Sequence, residues 1–530
     1  MAAGRNFPDP TKIVYRLSTS QNGNLMIDFR RASIAVLIAL AASAAAAQEH
    51  AGHPPGAHAD AGKPEGIGPG VLALLPQDAV TEHSIDTPGG ALAYTATAGT
   101  FSLFDQSGER SAAIFYTAFV AKSNDPRRPV TFVFNGGPGA GSAFLNLGLV
   151  GPRLAAFGKD GRDGAEVRLV DNPDTWLAFT DLVLIDPVGT GWSRPAKPDG
   201  GSAFWNVHRD AESLAKAIAL YVAKNGRVSA PKFILGESYG GFRAAKVARA
   251  LQDNQGIVVN GILMVSPLIE GALQFGGDRL ALGAALQLPS LAAAEFERSG
   301  TFSKEALARA ERFALTDYLS TLAGPPPTGD AAQAFYTRVA HMTGLPLDVV
   351  TRSRGFIRDA FIKHLQAADH KIVSHYDATF AVDDPNPASE GARGPDPFLD
   401  GFIRAYGSAF VAYARDELGF KTDMTYNLLA EEISEKWDWH DGGGHSPPSI
   451  AEDLRVLLAF TPSFRLMIAH GYSDMVTPYA VSRYVLDHIP ANVGDKRAEL
   501  RLYRGGHMFY VDPQSRKAFT ADARTLYVAP

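Results

Sequence analysis

The chain has 530 residues, a formal net charge of −6, 46% hydrophobic and 20% charged residues, and no cysteine. That mildly acidic balance argues against a nucleic-acid-binding protein, which carries a basic face. The missing cysteines exclude disulfides, thiolate zinc sites, iron–sulfur clusters and a cysteine nucleophile, and the length suffices for one large core or a core plus a second unit.

Near the N-terminus, Arg30 and Arg31 precede an apolar run from Ile34 to Ala42 and a small-residue stretch from Ser43 to Ala47. Basic, apolar and small in that order is the layout of a secretory signal. The run is too short to span a bilayer comfortably. The pattern predicts export to a periplasm or to the outside, with cleavage near Ala47 removing residues 1–47. A buried or membrane-anchoring helix is the competing reading. Residues 48–75, rich in His, Pro, Gly and Ala, read as a flexible leader. Its His50, His53 and His58 could ligate a metal, but no carboxylate framework shapes a site around them.

Residues 76–267 predict the first part of a sheet core. From Thr81 the texture is strand-like, and Leu92–Phe104 and Ala112–Ala121 flank a polar turn at Gln106-Ser107-Gly108. Short apolar runs follow, each ending in a tight turn: Val130–Phe134, Leu182–Ile185, Phe233–Leu235 and Ile262–Val265. Continuous apolar strands are those buried on both faces, as in a parallel sheet. Helical patterns at 211–225 and 242–251 complete βαβ units. Residues 268–448 break the rhythm; they are rich in Ala and Leu and predict a helical cap inserted between strands. Residues 449–530 return to the core, with strands at Leu466–Ala469 and Leu500–Tyr503. The whole predicts an α/β-hydrolase fold, in which function collects at the carboxyl ends of the strands.

The turns carry the chemistry. Gly236-Glu237-Ser238-Tyr239-Gly240 fits the G-x-S-x-G nucleophile elbow, whose glycines make room for a sharp bend. A helix-capping serine is the plainer reading of this turn alone. A serine hydroxyl needs a base to take its proton, and the base needs an orienting acid. Asp474 and His507 follow later strands in the required order, so Ser238, Asp474 and His507 form a candidate triad. Taken singly, Asp474 would be an ordinary turn residue and His507 a loop histidine. Asn135-Gly136-Gly137-Pro138-Gly139 ends an early strand, where glycines let backbone N–H groups approach a substrate carbonyl. No Gly-Lys-Ser/Thr follows it, which excludes a phosphate loop.

Four blocks together resemble the serine carboxypeptidases: Phe134–Gly139, Asp186–Ser193, Gly236–Gly240 and Gly505–Met508. The resemblance implies removal of C-terminal residues from peptides through an acyl-enzyme. It implies oxyanion donors at the Gly137 and Tyr239 amides. It implies binding of the substrate's terminal carboxylate by Asn135, Gly136 and Glu237. A carboxyl bonds a carboxylate only while protonated, so activity is expected to be favoured at acid pH. The sequence departs from the family pattern at Val133, where a tryptophan is expected, at Ala140, where a cysteine is expected, and at Leu149. The last is the position of a second carboxylate-binding glutamate, and Arg153 or Arg243 are candidates to compensate.

Two other readings compete. An esterase or acyltransferase could use the same scaffold, because fold and triad do not dictate the acyl donor. A catalytically silent binding protein would predict damage to the triad or oxyanion loop, and none is visible. No cofactor is implied: neither metal, flavin, nucleotide nor phosphopantetheine. The expected partners are peptides with a free C-terminus, without nucleic acid and without an integral membrane segment after signal removal.

Overall fold

The computed structural model describes residues 70–123, 125–440, 447–494 and 496–528. The predicted signal, its cleavage point, and the leader through residue 69 with its three histidines lie outside the described residues. The end of the leader is corrected. Gly70–Leu74 forms a short 3-10 helix, and Leu72 and Leu75 are fully buried in the core. Two leucines close behind a Gly- and Pro-rich stretch are enough to anchor its end.

Among the described residues fourteen strands follow in chain order. They are β1 (Ala79–Thr87), β2 (Gly90–Phe104), β3 (Arg110–Ala121), β4 (Val130–Phe134), β5 (Arg153–Phe157), β6 (Asp163–Asp171) and β7 (Asp181–Ile185). Then come β8 (Arg194–Pro195), β9 (Lys232–Glu237), β10 (Gly261–Val265), β11 (Lys371–Val373), β12 (Ala381–Asp383), β13 (Arg465–Gly471) and β14 (Ala498–Tyr503). The main sheet runs β1-β2-β3-β7-β4-β9-β10-β13-β14, with β8 paired to β3. From β7 to β14 every neighbouring pair is parallel; β1, β2 and β3 are antiparallel. A mostly parallel sheet with helices on both faces and a nucleophile elbow after a central strand is the α/β-hydrolase fold.

The apolar runs explain the layers. Successive side chains of a strand point to opposite faces, so Val133, Leu184, Leu235 and Leu263 join one core cluster. Phe132, Phe134, Val183, Ile234 and Ile262 join the other. The second face is covered by helices Val207–Lys224 and Tyr239–Gln255, which pack on each other. The first of these starts four residues before its apolar pattern. Asn206 caps it by accepting from Arg209 N at 2.8 Å, and the polar first turn carries no periodicity. Trp176 and the C-terminal helix Pro513–Val528 cover the first face, with Trp176 and Phe519 ring centroids 5.5 Å apart.

Residues 268–448 lie between β10 and β13 and divide in two. Helices Ala281–Arg298, Lys304–Phe313 and Gly329–Thr343 build their own apolar cluster through Leu288, Phe313, Tyr318 and Val339. From Phe398 onward the chain instead joins the main core. Phe410, Phe420 and Tyr426 surround Trp192, with ring centroids 4.9 to 5.9 Å from it. No helix among the described residues is long and apolar enough to cross a membrane.

Candidate active site

Ser238 sits between β9 and helix Tyr239–Gln255 with φ 59° and ψ −126°. A left-handed φ on a non-glycine residue costs on the order of 1–3 kcal/mol and persists only where its surroundings enforce it. They do so here. Ser238 N donates to Val265 O at 2.9 Å, and Ser238 O accepts from Gly241 N and Leu268 N. The flanking glycines are obligatory: a Cβ on Gly236 would lie 1.9 Å from Gly240 O, and one on Gly240 2.6 Å from Phe134 O. The Ser238 side chain makes no helix-capping hydrogen bond, which sets the capping reading aside.

β13 and β14 are parallel neighbours, so the turns beyond them emerge side by side. There His507 Nδ1 meets Asp474 Oδ2 at 3.0 Å, with both side chains buried. Asp474 Oδ1 accepts from the amides of Val476 and Thr477, each at 2.9 Å. The Thr477 hydroxyl lies 2.7 Å from Asp474 Oδ2 and 3.1 Å from His507 Nδ1. Burial alone would raise the Asp474 carboxyl, but the charges and hydrogen bonds of His507 and His470 hold it well below the usual carboxylate range. Burial disfavours a charged His507, yet the Asp474 charge and hydrogen bond, with Glu237 behind them, push it above its ordinary value. This is an imidazole held by a carboxylate with Nε2 left for chemistry, the arrangement a general base needs.

Ser238 and His507 line one cavity of about 150 Å³. No direct hydrogen bond joins the two among the described residues; such contacts often close only on a bound substrate. Asn135, Gly136, Gly137, Glu237 and Tyr239 line the same cavity. A Cβ on Gly136 would come 2.7 Å from Tyr239 N, so the oxyanion loop and the elbow are in contact. The insertion supplies Phe275, Tyr376, Leu399, Leu429 and Trp439 to the walls, leaving an apolar pocket around a polar floor.

Glu237 is 3% exposed. Asn135 Nδ2 donates to its Oε2, and the Tyr510 hydroxyl lies 2.9 Å from Oε1 and 3.0 Å from Oε2. Burial pushes the Glu237 carboxyl up to about 7, against the opposing pull of His507, Tyr510 and Asn135. Asn135 is itself fixed, since its Oδ1 accepts from Leu145 N at 3.1 Å and its carbonyl accepts from Arg243.

Neither candidate arginine is available to replace a second carboxyl. Arg243 is buried and paired with Asp210 at 2.7 Å. Arg153 pairs with Asp171 and Glu417 on the β5–β6 side. Leu149 and Val133 are fully buried. The Asp186–Ser193 block proves to be a brace. Asp186 Oδ1 accepts from Ser142 N and Ser142 Oγ, both at 2.7 Å, which anchors the oxyanion loop from behind. Ser193 Oγ donates to Asp186 O and accepts from Phe115 N, tying the brace to β3.

Three residues of the site escape the sequence reading. Tyr376 accepts the His507 amide at its carbonyl, and its ring lies edge-on to the imidazole. Thr477 and Tyr510 are three residues beyond Asp474 and His507, and a polar residue at that offset was the available signal. Among the described residues no group of three or more His, Asp or Glu side chains is placed to hold a metal ion.

Residues 95–278 match the family model described as serine carboxypeptidase. The chain is similar to a carboxypeptidase Y homolog of Arthroderma benhamiae, 27% identical over 172 residues, covering 30% of each chain. It is similar to serine carboxypeptidase-like 35 of Arabidopsis thaliana, 26% identical over 178 residues, covering 32% of this chain and 36% of that protein. The chain therefore spans about a third of the length of the curated relatives it matches. Among solved structures, a proline iminopeptidase of Mycobacterium smegmatis aligns with 81% of this chain and 98% of its own, at 14% identity and a TM-score of 0.36. That likeness is slight; the strand order identifies the fold. Asp474 and His507 lie outside the matched segment; the segment carries Asn135–Gly139 and Gly236–Gly240, and over it the chain is similar to the serine carboxypeptidases.

Proposed function

We propose that this protein is a serine-type carboxypeptidase that releases C-terminal residues from peptides through an acyl-enzyme. One observation carries the reading: a buried carboxyl, Glu237, adjoins the nucleophile in the cavity and has a pKa raised to about 7. A protonated carboxyl there can donate to a substrate's terminal carboxylate, which an ionised one would repel. The family match supports the same reading.

In the proposed reaction His507 Nε2 takes the Ser238 proton as Oγ attacks the scissile carbonyl. Asp474 orients the ring and stabilises the imidazolium. The Gly137 and Tyr239 amides receive the developing oxyanion. His507 returns the proton to the leaving amine, and a water activated by His507 releases the acyl group. Asn135 and Glu237 hold the carboxylate of the departing residue. The preference for free acids over amides is favoured on the acid side of neutrality, where Glu237 is protonated. We also propose export with cleavage near Ala47, for which a mature N-terminus at Gln48, read by N-terminal sequencing, is the check.

An N-blocked dipeptide compared with its C-terminal amide at about pH 5 and about pH 7.5, on either side of the Glu237 pKa, tests the activity. The free acid is expected to react faster, more so at the lower pH, and Ser238→Ala is expected to be inactive. One observation favours an esterase or acyltransferase instead: Leu149 is buried and apolar, so Glu237 has no carboxyl partner there. Ester hydrolysis through Ser238 with both peptides ignored would establish that reading.

A further inference from the structure

Glu237 has a partner that the sequence did not suggest. The Tyr510 hydroxyl reaches both of its oxygens, at 2.9 and 3.0 Å. Tyr510 is fully buried and is not among the described residues that line the cavity, so it acts from behind. It stands on the short turn Phe509–Val511, three residues from His507. Its ring is pinned: a Cβ on Gly148 would come 2.7 Å from Tyr510 Cε2 and 2.9 Å from Tyr406 Oη.

The hydrogen-bond inventory around Glu237 is lopsided. Asn135 has already engaged its side-chain oxygen with Leu145 N and can offer Glu237 only its NH2 group. A neutral phenol has one proton to give. Burial, reinforced by the Glu237 charge, pushes the Tyr510 hydroxyl well above its ordinary value, so it stays protonated. Both partners therefore donate. When Glu237 takes up a proton, Asn135 cannot accept it, and the proton goes to the lone pairs of the Tyr510 oxygen or to a ligand in the cavity.

We infer that Tyr510 is a positioning residue for substrate recognition: it fixes the Glu237 carboxyl so that the acid's own proton faces the cavity and meets the carboxylate of a peptide C-terminus. The inference rests on the carboxypeptidase reading. The other titratable or charged groups around the pair are His507 and Asp474 from the strand ends and Tyr376 from the insertion. Tyr406 adjoins Tyr510, and Arg516 donates to the Tyr510 carbonyl at 3.4 Å. Arg243, neutralised by Asp210, holds the Asn135 carbonyl.

Tyr510→Phe removes one oxygen and keeps the ring. KM and kcat are measured from about pH 5 to about pH 9 for a free-acid peptide, its amide and an ester, beside a thermal melt. The carboxylic C=O infrared band that disappears in Glu237→Gln reports the Glu237 titration directly. The expected result is a rise of about tenfold in KM for the free acid at low pH, with kcat and the ester parameters within about twofold. The Glu237 midpoint is expected to move up by about one pH unit, because a donor that favoured the ionised form is gone. Equal losses on all three substrates, or an unmoved midpoint, would overturn the inference. A wild-type enzyme that does not prefer the free acid would sink the carboxypeptidase reading itself, and the recognition role with it; that failure shows in the wild type and needs no variant.

Discussion

Asp474 holds His507 through a single oxygen, with Oδ2 3.0 Å from Nδ1, while Oδ1 is occupied by the Val476 and Thr477 amides. The carboxylate thus cannot swing away without giving up two backbone hydrogen bonds. Asp474→Asn would leave this frame standing but present an NH2 group to Nδ1. The imidazole would then carry its proton on Nε2, where it could no longer accept from Ser238. The expected loss in kcat is about 10⁴-fold with a smaller change in KM. Steady-state kinetics on an ester substrate reads it, and a loss of less than about tenfold would remove Asp474 from the orienting role.

In the proposed reaction Glu237 and His507 set opposite flanks of the pH profile for a free-acid substrate. Glu237 must be protonated, which fails as pH rises through about 7. His507 must be neutral, which fails as pH falls through its raised pKa. The two groups interact, so the flanks belong to the pair. A bell is expected in kcat/KM for the free acid and a single acid limb for an ester. Glu237→Gln keeps a donor at every pH, so its KM for the free acid should be flat where the wild-type value climbs. A wild-type KM that stays level above neutrality would show that no titrating carboxyl reads the C-terminus.

The same carboxyl makes stability depend on pH. Its folded pKa, about 7, lies above its ordinary value of 4.5. A raised carboxyl favours the folded state fully below the unfolded pKa, and that contribution is lost as pH rises through the folded one. Glu237→Gln should therefore gain stability over wild type between about pH 4 and about pH 8.5, by roughly 3 kcal/mol. Urea midpoints at the two pH values give the difference. A constant offset would mean that burial does not raise this carboxyl in the folded protein.

What the sequence made legible was local. Ser238 and Asp474 each follow an apolar strand within a few residues, and His507 follows the half-exposed edge strand β14, whose Leu500 and Leu502 still mark it as a strand. Asn135 was legible for the same reason. Tyr510 was not: its contact with Glu237 joins positions 273 residues apart, and no local pattern encodes a pairing across the sheet. Tyr376 lies inside an insertion whose composition gives no register. The pair β5–β6 was missed because β6 is largely exposed and rich in charge, and β5 is a five-residue strand in which Leu154 alone is buried. The 268–448 region read as one cap because helical periodicity shows which face is apolar. It does not show whether that face meets the sheet, as Phe410 does, or another helix, as Leu288 does.

Gly136 offers the sharpest test of the oxyanion arrangement, because it is where the early loop touches the elbow. A Cβ there would lie 2.6 Å from Glu237 O, 2.7 Å from Tyr239 N and 2.9 Å from Ser238 Cβ. The first two neighbours are backbone and cannot rotate aside, so Gly136→Ala must push the Gly137 and Tyr239 amides apart. Displacing preorganised donors costs about 10²- to 10³-fold in kcat. The loss should be shared by esters and peptides, since both pass through an oxyanion, and labelling of Ser238 by a phosphonate should slow in parallel. Gly391→Ala is the control, for its Cβ would meet nothing within 4 Å. If Gly136→Ala instead raised KM for free acids while leaving ester turnover intact, Gly136 would belong to carboxylate binding alone, and the oxyanion donors would have to be sought elsewhere in the cavity.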